Sequence, residues 1–181
     1  MDNLTAIVGQ KGSGKSSVLQ MVRALGFYAT DLSTPLRIFE LEGKKRTDLE
    51  NNQWRASALD IVYQNCLVHA RGPVFIDGIS RPAELEYLER TGKLYFIVSI
   101  SAPEEIRFPR VFERARKGEE KLTVERYREK CHRRLGSIKG YEANDLNALM
   151  AATDYHIENT GDLPTLLEKT KLMLRHFGHL Q

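Results

Sequence analysis

The fold of this chain is decided by a stretch near its N-terminus, Gly9-Gln10-Lys11-Gly12-Ser13-Gly14-Lys15-Ser16. The stretch consists of a glycine, four further residues and then Gly-Lys-Ser, which is the spacing of a phosphate-binding loop, or P-loop. The apolar residues 4–8 precede it and predict a strand, while residues 17–25 follow it and predict a helix. Strand, glycine-rich turn and helix are the context that this motif requires.

Phosphate binding by such a loop follows from its backbone. Glycine tolerates backbone angles that other residues resist, so successive N–H groups can turn inward around an anion at the positive end of a helix. The Lys15 side chain can reach the terminal phosphates, and the Ser16 hydroxyl can bind magnesium. We expect the nucleotide phosphates to be bound by Gly9, Gly12, Ser13, Gly14, Lys15, Ser16 and Ser17. The structural alternative is a glycine-rich turn with an incidental lysine.

The composition is that of a globular protein with a mild positive charge. The chain has 181 residues, of which 41% are hydrophobic and 28% charged, so we expect a single domain over residues 1–181. A net charge of +3 suits an anionic substrate but does not require nucleic acid. No apolar run approaches the roughly 18 residues of a membrane span, and no signal peptide is visible. We therefore expect a cytoplasmic protein with no membrane partner, and we interpret Cys66 and Cys131 as reduced thiols.

Apolar segments alternate with helical segments along the whole chain. Strands are predicted near residues 4–8, 26–30, 74–77, 94–100 and 155–157, and helices near residues 17–25, 36–41, 48–70, 82–91, 102–117, 123–135, 144–151 and after 162. This alternation predicts an α/β fold with a five-stranded parallel sheet. Ligands of such sheets bind beyond the C-terminal ends of the strands, where the P-loop, Asp31, Asp77 and Ser101 all lie. Ser101 and Glu104 also have the spacing of a helix capping box.

Asp77 ends the third predicted strand, as the magnesium-binding aspartate of a P-loop enzyme does. We expect Ser16 and Asp77 to hold Mg²⁺, the aspartate directly or through water; an ordinary aspartate in a turn is the alternative. The next residue is Gly78, where many hydrolysing P-loop ATPases carry a glutamate that orients water. The chain also lacks an Asn-Lys-x-Asp guanine-reading motif. Both absences favour phosphate transfer to a bound acceptor over hydrolysis or a GTP switch.

Three arginines share one face of the predicted helix that follows Ser101, namely Arg107, Arg110 and Arg114. A charged loop and a second arginine-bearing helix come next. Two such helices joined by a polar loop are typical of a lid, because phosphoryl transfer needs positive charge on the migrating group and exclusion of water. The alternative interpretation is a solvated basic face.

The order of these features resembles the nucleoside monophosphate kinase group. The segment Asp77-Gly78-Ile79-Ser80-Arg81-Pro82 is similar to that group's Asp-Gly-x-Pro-Arg segment, with the arginine displaced. Asp31-Leu32-Ser33-Thr34-Pro35-Leu36-Arg37 looks like its substrate segment. Residues 46–49, with Asn52 and Arg55, resemble deoxynucleoside monophosphate kinase-like and dephospho-coenzyme A kinase-like proteins.

The resemblance implies a P-loop NTPase three-layer sandwich with a helical, arginine-rich lid. Residues 31–70 would form the acceptor-binding region and residues 103–140 the lid. The implied roles are phosphate and metal binding for Lys15 and Ser16, acceptor binding for Arg37, Arg55 and Arg81, lid closure for Arg107, Arg110 and Arg114, and proximity to the adenine for Asn159.

Asp31 bears on the choice of acceptor. A monophosphate oxygen is already anionic, whereas a sugar hydroxyl needs a general base, and dephospho-coenzyme A kinases place an aspartate at this strand end. An N-cap is the structural alternative for Asp31. We expect an ATP- and Mg²⁺-dependent kinase whose partner is a small nucleotide acceptor, a nucleoside or deoxynucleoside monophosphate before dephospho-coenzyme A. A P-loop ATPase or nucleotide-gated regulatory protein is the alternative of another class, and the oligomeric state stays open.

Overall fold

The computed structural model of the chain describes residues 4–35, 38, 42–43, 52–114, 123–134 and 146–181. The strands are β1 (Leu4–Val8), β2 (Tyr28–Asp31), β3 (Val74–Asp77), β4 (Leu94–Ser101) and β5 (Tyr155–Glu158). The helices of the described ranges are α1 (Lys15–Ala24), α2 (Asn52–His69), α3 (Pro82–Arg90), α4 (Glu104–Arg114), α5 (Val124–Arg134), α6 (Leu146–Ala151) and α7 (Leu163–His176).

The five strands form one parallel sheet in the order β2-β3-β1-β4-β5. All five residues of the central strand β1 are buried, as expected for a parallel strand covered on both faces. The predicted α/β fold with a five-stranded parallel sheet is therefore confirmed. In the register of the sheet Asp77 lies opposite both Ile7 and Asp31, which brings the ends of β1, β2 and β3 to one edge.

Helices cover both faces of the sheet, which gives the predicted three layers. Side chains alternate along β1, so Ala6 and Val8 face one core and Ile7 faces the other. The first core includes residues of α2, α3 and α6, and the second includes residues of α1 and α7. A smaller cluster joins α4 to α5 and is formed by Phe108, Val111, Tyr127 and Cys131.

Side chains cap two of the helices, whereas the capping box predicted for a third helix is not formed. The Asp162 carboxylate accepts a hydrogen bond from Thr165 N at 2.9 Å, and it caps α7. The Thr123 hydroxyl accepts one from Arg126 N at 3.2 Å at the start of α5. The predicted capping box of Ser101 and Glu104 is wrong, because the helix begins at Glu104 and its first backbone hydrogen bonds, from Ile106 N and Arg107 N, go to the Pro103 carbonyl oxygen. The Ser101 hydroxyl lies 3.0 Å from His156 Nε2 on the neighbouring strand β5, so it hydrogen-bonds within the sheet and not to a helix N–H group.

Several predictions can be compared with the described residues only in part. The predicted helix at 36–41 and the polar loop after α4 lie almost wholly outside them. Cys66 and Cys131 are buried and form no disulfide. Within the described ranges no helix is both long and apolar enough to cross a bilayer.

Candidate functional site

The P-loop connects β1 to α1, and its three motif glycines have backbone angles that other residues resist. Gly9, Gly12 and Gly14 have φ values of 148°, 85° and 106°. A Cβ atom on Gly9 would lie 2.2 Å from the Ile100 carbonyl oxygen, well inside van der Waals contact. The loop therefore packs closely against the end of β4, and a side chain at Gly9 would clash there in addition to straining the backbone.

The other two glycines of the loop are confined by residues far along the chain. A Cβ atom on Gly12 would lie 2.5 Å from the Arg107 carbonyl oxygen, which belongs to α4. One on Gly14 would lie 2.2 Å from Asn159 Nδ2, just beyond β5. The loop is thus packed against the segments that follow β4 and β5.

The Lys15 ammonium group lies against the backbone of the P-loop. Its ammonium donates hydrogen bonds to the carbonyl oxygens of Gly9 at 2.8 Å and Gln10 at 3.1 Å. Lys15 is also the first residue of α1, whose N-terminal N–H groups and dipole favour an anion. The Ser13 hydroxyl is fully buried and finds no hydrogen-bond partner among the residues that the structure describes. Because buried polar groups are normally paired, this hydroxyl fits a loop that is completed by a phosphate ligand.

Asn159 is a buried part of the loop's support. Its side-chain amide donates to the Ser13 carbonyl oxygen at 2.8 Å, and its backbone N–H donates to the Ser101 carbonyl oxygen at 2.8 Å. Only 5% of the residue is exposed. The structure therefore places Asn159 against the P-loop backbone; the sequence prediction that it lies near an adenine ring stays a prediction.

Asp31 and Asp77 are neighbours at the ends of β2 and β3. The Asp31 carboxylate accepts hydrogen bonds from the Ser33 hydroxyl, from Thr34 N at 3.0 Å and from the Thr34 hydroxyl at 3.2 Å. It therefore acts as the cap of the helical residues 33–35.

The predicted magnesium ligands have suitable chemistry. Asp77 Oδ1 accepts a hydrogen bond from Gly78 N at 2.7 Å, and within the described part of the chain no hydrogen bond involves Oδ2. Ser16 is half-buried in the first turn of α1. A carboxylate and a hydroxyl are oxygen ligands of the kind that Mg²⁺ prefers, so these residues fit the ion.

Glu84 organises the segment after β3. Its carboxylate, with 3% of the side chain exposed, pairs with Arg55 Nε and accepts hydrogen bonds from Ser80 N at 2.7 Å and Arg81 N at 3.0 Å. Arg55 also donates to the Gly78 carbonyl oxygen at 3.1 Å. The structure thus brings two predicted acceptor residues, Arg55 and Arg81, to one loop beside Asp77. The third, Arg37, lies outside the described residues. Sequence reasoning missed Glu84, although its position in the first turn of a helix that starts with proline was visible.

Arg107 is buried, in contrast to the exposed position usual for a lid arginine. Its Nε donates to the Ala102 carbonyl oxygen at 2.8 Å, and its Nη1 donates to the Tyr127 hydroxyl at 2.7 Å. That hydroxyl donates in turn to the Lys11 carbonyl oxygen at 3.1 Å, and burial raises the pKa of the phenol. Sequence reasoning missed Tyr127. Its spacing of four from Cys131, in a helix of charged residues, was the available signal.

The other two predicted lid arginines lie farther along α4. Arg110 donates to the carbonyl oxygens of Asn159 at 3.2 Å and Gly161 at 3.3 Å, so it connects α4 to the loop after β5. Arg114 is exposed at the end of the helix. The polar loop that would join it to α5 lies outside the described residues.

Comparison with known proteins gives distant relatives and a clear fold. No protein-family profile matches the chain. A UPF0200 protein of Methanosarcina mazei is 27% identical over 98% of this chain and 96% of its own length. One of Thermoplasma volcanium is 24% identical over 94% and 96%.

Solved structures of P-loop kinases superpose on most of the chain. A shikimate kinase from Aquifex aeolicus has a TM-score of 0.61 at 15% identity, covering 97% of this chain and 98% of its own. A gluconokinase from Sinorhizobium meliloti has a TM-score of 0.58 at 16% identity, covering 97% and 93%. At such identities the likeness shows the fold alone. The predicted P-loop kinase-like fold is confirmed, whereas the likeness to nucleoside monophosphate kinases in particular stays a prediction.

Proposed function

We propose that this protein is an ATP- and Mg²⁺-dependent phosphotransferase that transfers the γ-phosphate to a small nucleotide-type acceptor, a nucleoside or deoxynucleoside monophosphate. One observation carries the proposal. A P-loop with the Lys15 ammonium on its backbone lies at the same sheet edge as Asp77 and Asp31, next to the loop after β3, which carries Arg81 and is contacted by Arg55 of α2. This arrangement supports a nucleotide site with an acceptor site beside it.

On the ATP side, each group has a defined task. The P-loop N–H groups and Lys15 would bind the β- and γ-phosphates, and Ser16 and Asp77 would hold Mg²⁺, whose charge would offset that of the phosphates. The arginines of α4 that lie toward its end, Arg110 and Arg114, provide positive charge when the lid closes. Arg107 has a structural role beside the P-loop, because its guanidinium is buried among protein groups.

On the acceptor side, Asp31 favours an acceptor that is already anionic. Its carboxylate is engaged by Ser33 and Thr34, so capping occupies the group that a hydroxyl acceptor would need as a base. A phosphate oxygen needs no base and is attracted by the Arg55 and Arg81 guanidiniums, with Arg37 as a further expected contact. Gly78, in the place of a water-orienting glutamate, also favours transfer to an acceptor over hydrolysis.

The proposal is tested by ADP formation from ATP–Mg²⁺ across a panel of acceptors. The panel contains the common nucleoside and deoxynucleoside monophosphates, dephospho-coenzyme A, shikimate and gluconate. We expect at least one monophosphate to raise ADP formation well above the acceptor-free rate, and Lys15→Ala to abolish the increase. If no nucleoside or deoxynucleoside monophosphate stimulates ADP formation by ATP-binding protein, the proposal fails, whichever other member of the panel does so.

Asp31→Asn separates an anionic acceptor from a hydroxyl acceptor. Asparagine is as good a helix cap as aspartate, so the fold should be kept while the base is lost. With a monophosphate acceptor kcat should change only a few-fold. With a hydroxyl acceptor such as dephospho-coenzyme A, loss of a general base should lower kcat by about 10²–10⁴-fold.

A nucleotide-gated regulatory protein is the second candidate function. It is favoured by the engagement of Arg55, Arg107 and Arg110 with protein carbonyl or carboxylate groups. This candidate predicts slow ATP hydrolysis that no acceptor accelerates. Arg37→Ala distinguishes the two, because a kinase should lose acceptor turnover and keep ATP binding, whereas a regulatory protein should keep its slow hydrolysis unchanged.

A further inference from the structure

We infer that Tyr127 is a positioning residue, through which helix α5 holds the tip of the P-loop in the shape that binds phosphate. The tip consists of Lys11 and Gly12, and Asn159 contacts the two residues that follow it, Ser13 and Gly14. The inference deepens the proposed function and rests on it in one respect, namely that the ligand of the loop is a nucleotide phosphate. The contact itself joins two segments that are 116 residues apart.

The direction of the hydrogen bonds follows from the chemistry of the groups. A guanidinium only donates, so the Tyr127 oxygen accepts from Arg107 Nη1 at 2.7 Å. The hydroxyl proton is then directed to the Lys11 carbonyl oxygen at 3.1 Å. Tyr127 is fully buried, and burial raises the pKa of its phenol, so the group stays a donor at every physiological pH.

Arg107 cannot replace the tyrosine at the tip. Its Nη1 lies 3.5 Å from the Lys11 carbonyl oxygen, which is at the outer limit of a hydrogen bond. Its Nε is directed to the Ala102 carbonyl oxygen, which ties the guanidinium to the end of β4. The short hydrogen bonds between the Arg107 side chain and the Lys11 carbonyl oxygen therefore pass through the Tyr127 hydroxyl, which accepts at 2.7 Å and donates at 3.1 Å.

Helix α5 is itself anchored on α4, so the tip is connected to a larger unit. Tyr127 packs edge-on against Phe108, with ring centroids 5.4 Å apart. Cys131 and Val111 complete this cluster, and Arg128 pairs with Glu104 at 2.7 Å on the surface. Gly12 packs against α4, on which α5 is seated, since a Cβ atom there would lie 3.0 Å from Val111 Cγ2. The orientation of the loop amides therefore depends on how α5 is seated.

This arrangement links phosphate binding to the position of α5. If the loop binds phosphate best when the tip is held, then a ligand on the loop must also stabilise the seated α5, because linkage is reciprocal. Loss of one hydrogen bond of ordinary strength corresponds to an affinity change of about 3- to 10-fold.

The test compares Tyr127→Phe with a matched variant, Tyr87→Phe. Each change removes one hydroxyl; the Tyr87 hydroxyl donates to Asp60 Oδ1 at 2.6 Å between α2 and α3, away from the P-loop. Three quantities are measured on the full chain: hydrogen exchange of the loop amides without ligand, Kd for ATP–Mg²⁺ and for pyrophosphate, and Tm. The Ser13 amide, which donates to the Gln10 carbonyl oxygen at 3.2 Å, is the most informative probe.

We expect Tyr127→Phe to speed exchange of the loop amides and to weaken both ligands by about 3- to 10-fold. Tyr87→Phe should lower Tm without either effect. If the two variants lower Tm alike and leave loop exchange unchanged, Tyr127 only packs the lid and the inference is overturned. If loop exchange speeds up but the wild-type protein binds no ATP, the positioning role stands and the proposed nucleotide function fails.

A second measurement uses the wild-type chain, so it does not depend on the folding of a variant. Pyrophosphate at saturating concentration should increase the hydrogen-exchange protection of Val124–Arg134, relative to α3, whose buried Leu85 and Leu88 pack in the core that contains Ala6 and Val8. Binding of pyrophosphate without any added protection in α5 would contradict the coupling.

Discussion

Gly12 and Gly26 have nearly the same backbone conformation, with φ values of 85° and 92°, but different surroundings. A Cβ atom on Gly26 would meet nothing within 4 Å, whereas one on Gly12 would lie 2.5 Å from the Arg107 carbonyl oxygen. The pair therefore separates the cost of a left-handed residue from the cost of disturbing the loop.

We expect Gly26→Ala to lower the free energy of unfolding by about 1–2 kcal/mol through backbone conformation alone. ATP affinity should be unchanged in this variant. Gly12→Ala should lower stability at least as much and also weaken ATP binding by 10-fold or more, because the loop must shift away from α4. Urea unfolding and ATP titration of both variants measure the two effects. Equal ATP affinity in both variants would show that the contact with Arg107 is not needed.

His179 gives the protein a source of acid sensitivity at the residue scale. Its ring lies among aromatic rings, 6.1 Å from Phe27 and 6.2 Å from Phe75 and Phe177 between centroids. Its Nε2 is buried and has no hydrogen-bond partner within the described ranges, and burial lowers the pKa of the imidazole. The folded protein therefore holds the ring neutral below the pH at which the unfolded chain begins to protonate it.

We expect this histidine to reduce stability as pH falls below about 6.5, the ordinary histidine pKa, until the lowered folded-state pKa is reached. Above about pH 6.5 the ring is neutral in both states, and the stability of the folded protein does not depend on its protonation. His179→Leu should flatten the dependence of the urea midpoint on pH between 7 and 5. His176→Gln, at an exposed position of α7, is the control and should leave the slope in place. If the slope is unchanged in His179→Leu, the pH dependence of stability arises from other groups.

At the scale of elements, two ion pairs hold α2 in different environments, one to α3 and the other to Lys93, the residue before β4. Arg55 and Glu84 have only 12% and 3% of their side chains exposed. Asp60 of the second pair, with Lys93, is 49% exposed, and the Tyr87 hydroxyl and Lys93 hold the pKa of Asp60 below its ordinary value. Burial should make the first pair much more sensitive to loss of one partner.

We expect Arg55→Met to cost about 3–5 kcal/mol, because it leaves the Glu84 carboxylate buried without its cation. The double variant Arg55→Met/Glu84→Leu should recover part of this loss. Lys93→Met leaves a carboxylate, Asp60, that is half exposed to water, so it should cost about 1 kcal/mol or less. Urea unfolding of the four proteins, wild type included, gives the comparison. Similar losses for Arg55→Met and Lys93→Met would contradict a central role for Glu84 in the loop after β3.

At the scale of the whole molecule, the P-loop of the proposed nucleotide site is contacted by α4, α5 and the segment after β5. A ligand that binds the folded state alone stabilises it by about 2.7 kcal/mol at 100 times its Kd. For a chain of 181 residues this corresponds to a rise in Tm of about 5–10 °C.

We therefore expect ATP with Mg²⁺ to raise Tm by that amount in the wild-type protein and by little in Lys15→Ala, which lacks the ammonium that lies on the loop. Glu89→Ala, at an exposed position of α3, should respond like the wild type. Thermal unfolding with and without nucleotide measures the shift. A full shift in Lys15→Ala would place the nucleotide somewhere other than the P-loop.

By itself, the sequence determined the features that depend on neighbouring residues. Glycine spacing predicted the loop between β1 and α1, continuous apolar runs predicted the parallel strands, and strand ends located Asp31 and Asp77 at one edge. Each of these signals is local, since backbone preference and hydrophobic periodicity act over a few residues.

The tertiary structure alone decided how side chains are used. It assigned Ser101 to His156 rather than to a helix cap, buried Arg107, engaged Arg55 with Glu84 and connected Tyr127 to Lys11. The partners in these contacts come from distant parts of the chain, 146 residues apart for Asn159 and Ser13. A local pattern shows that an arginine or tyrosine is present, but only packing of the sheet and helices determines which carbonyl or carboxylate it meets.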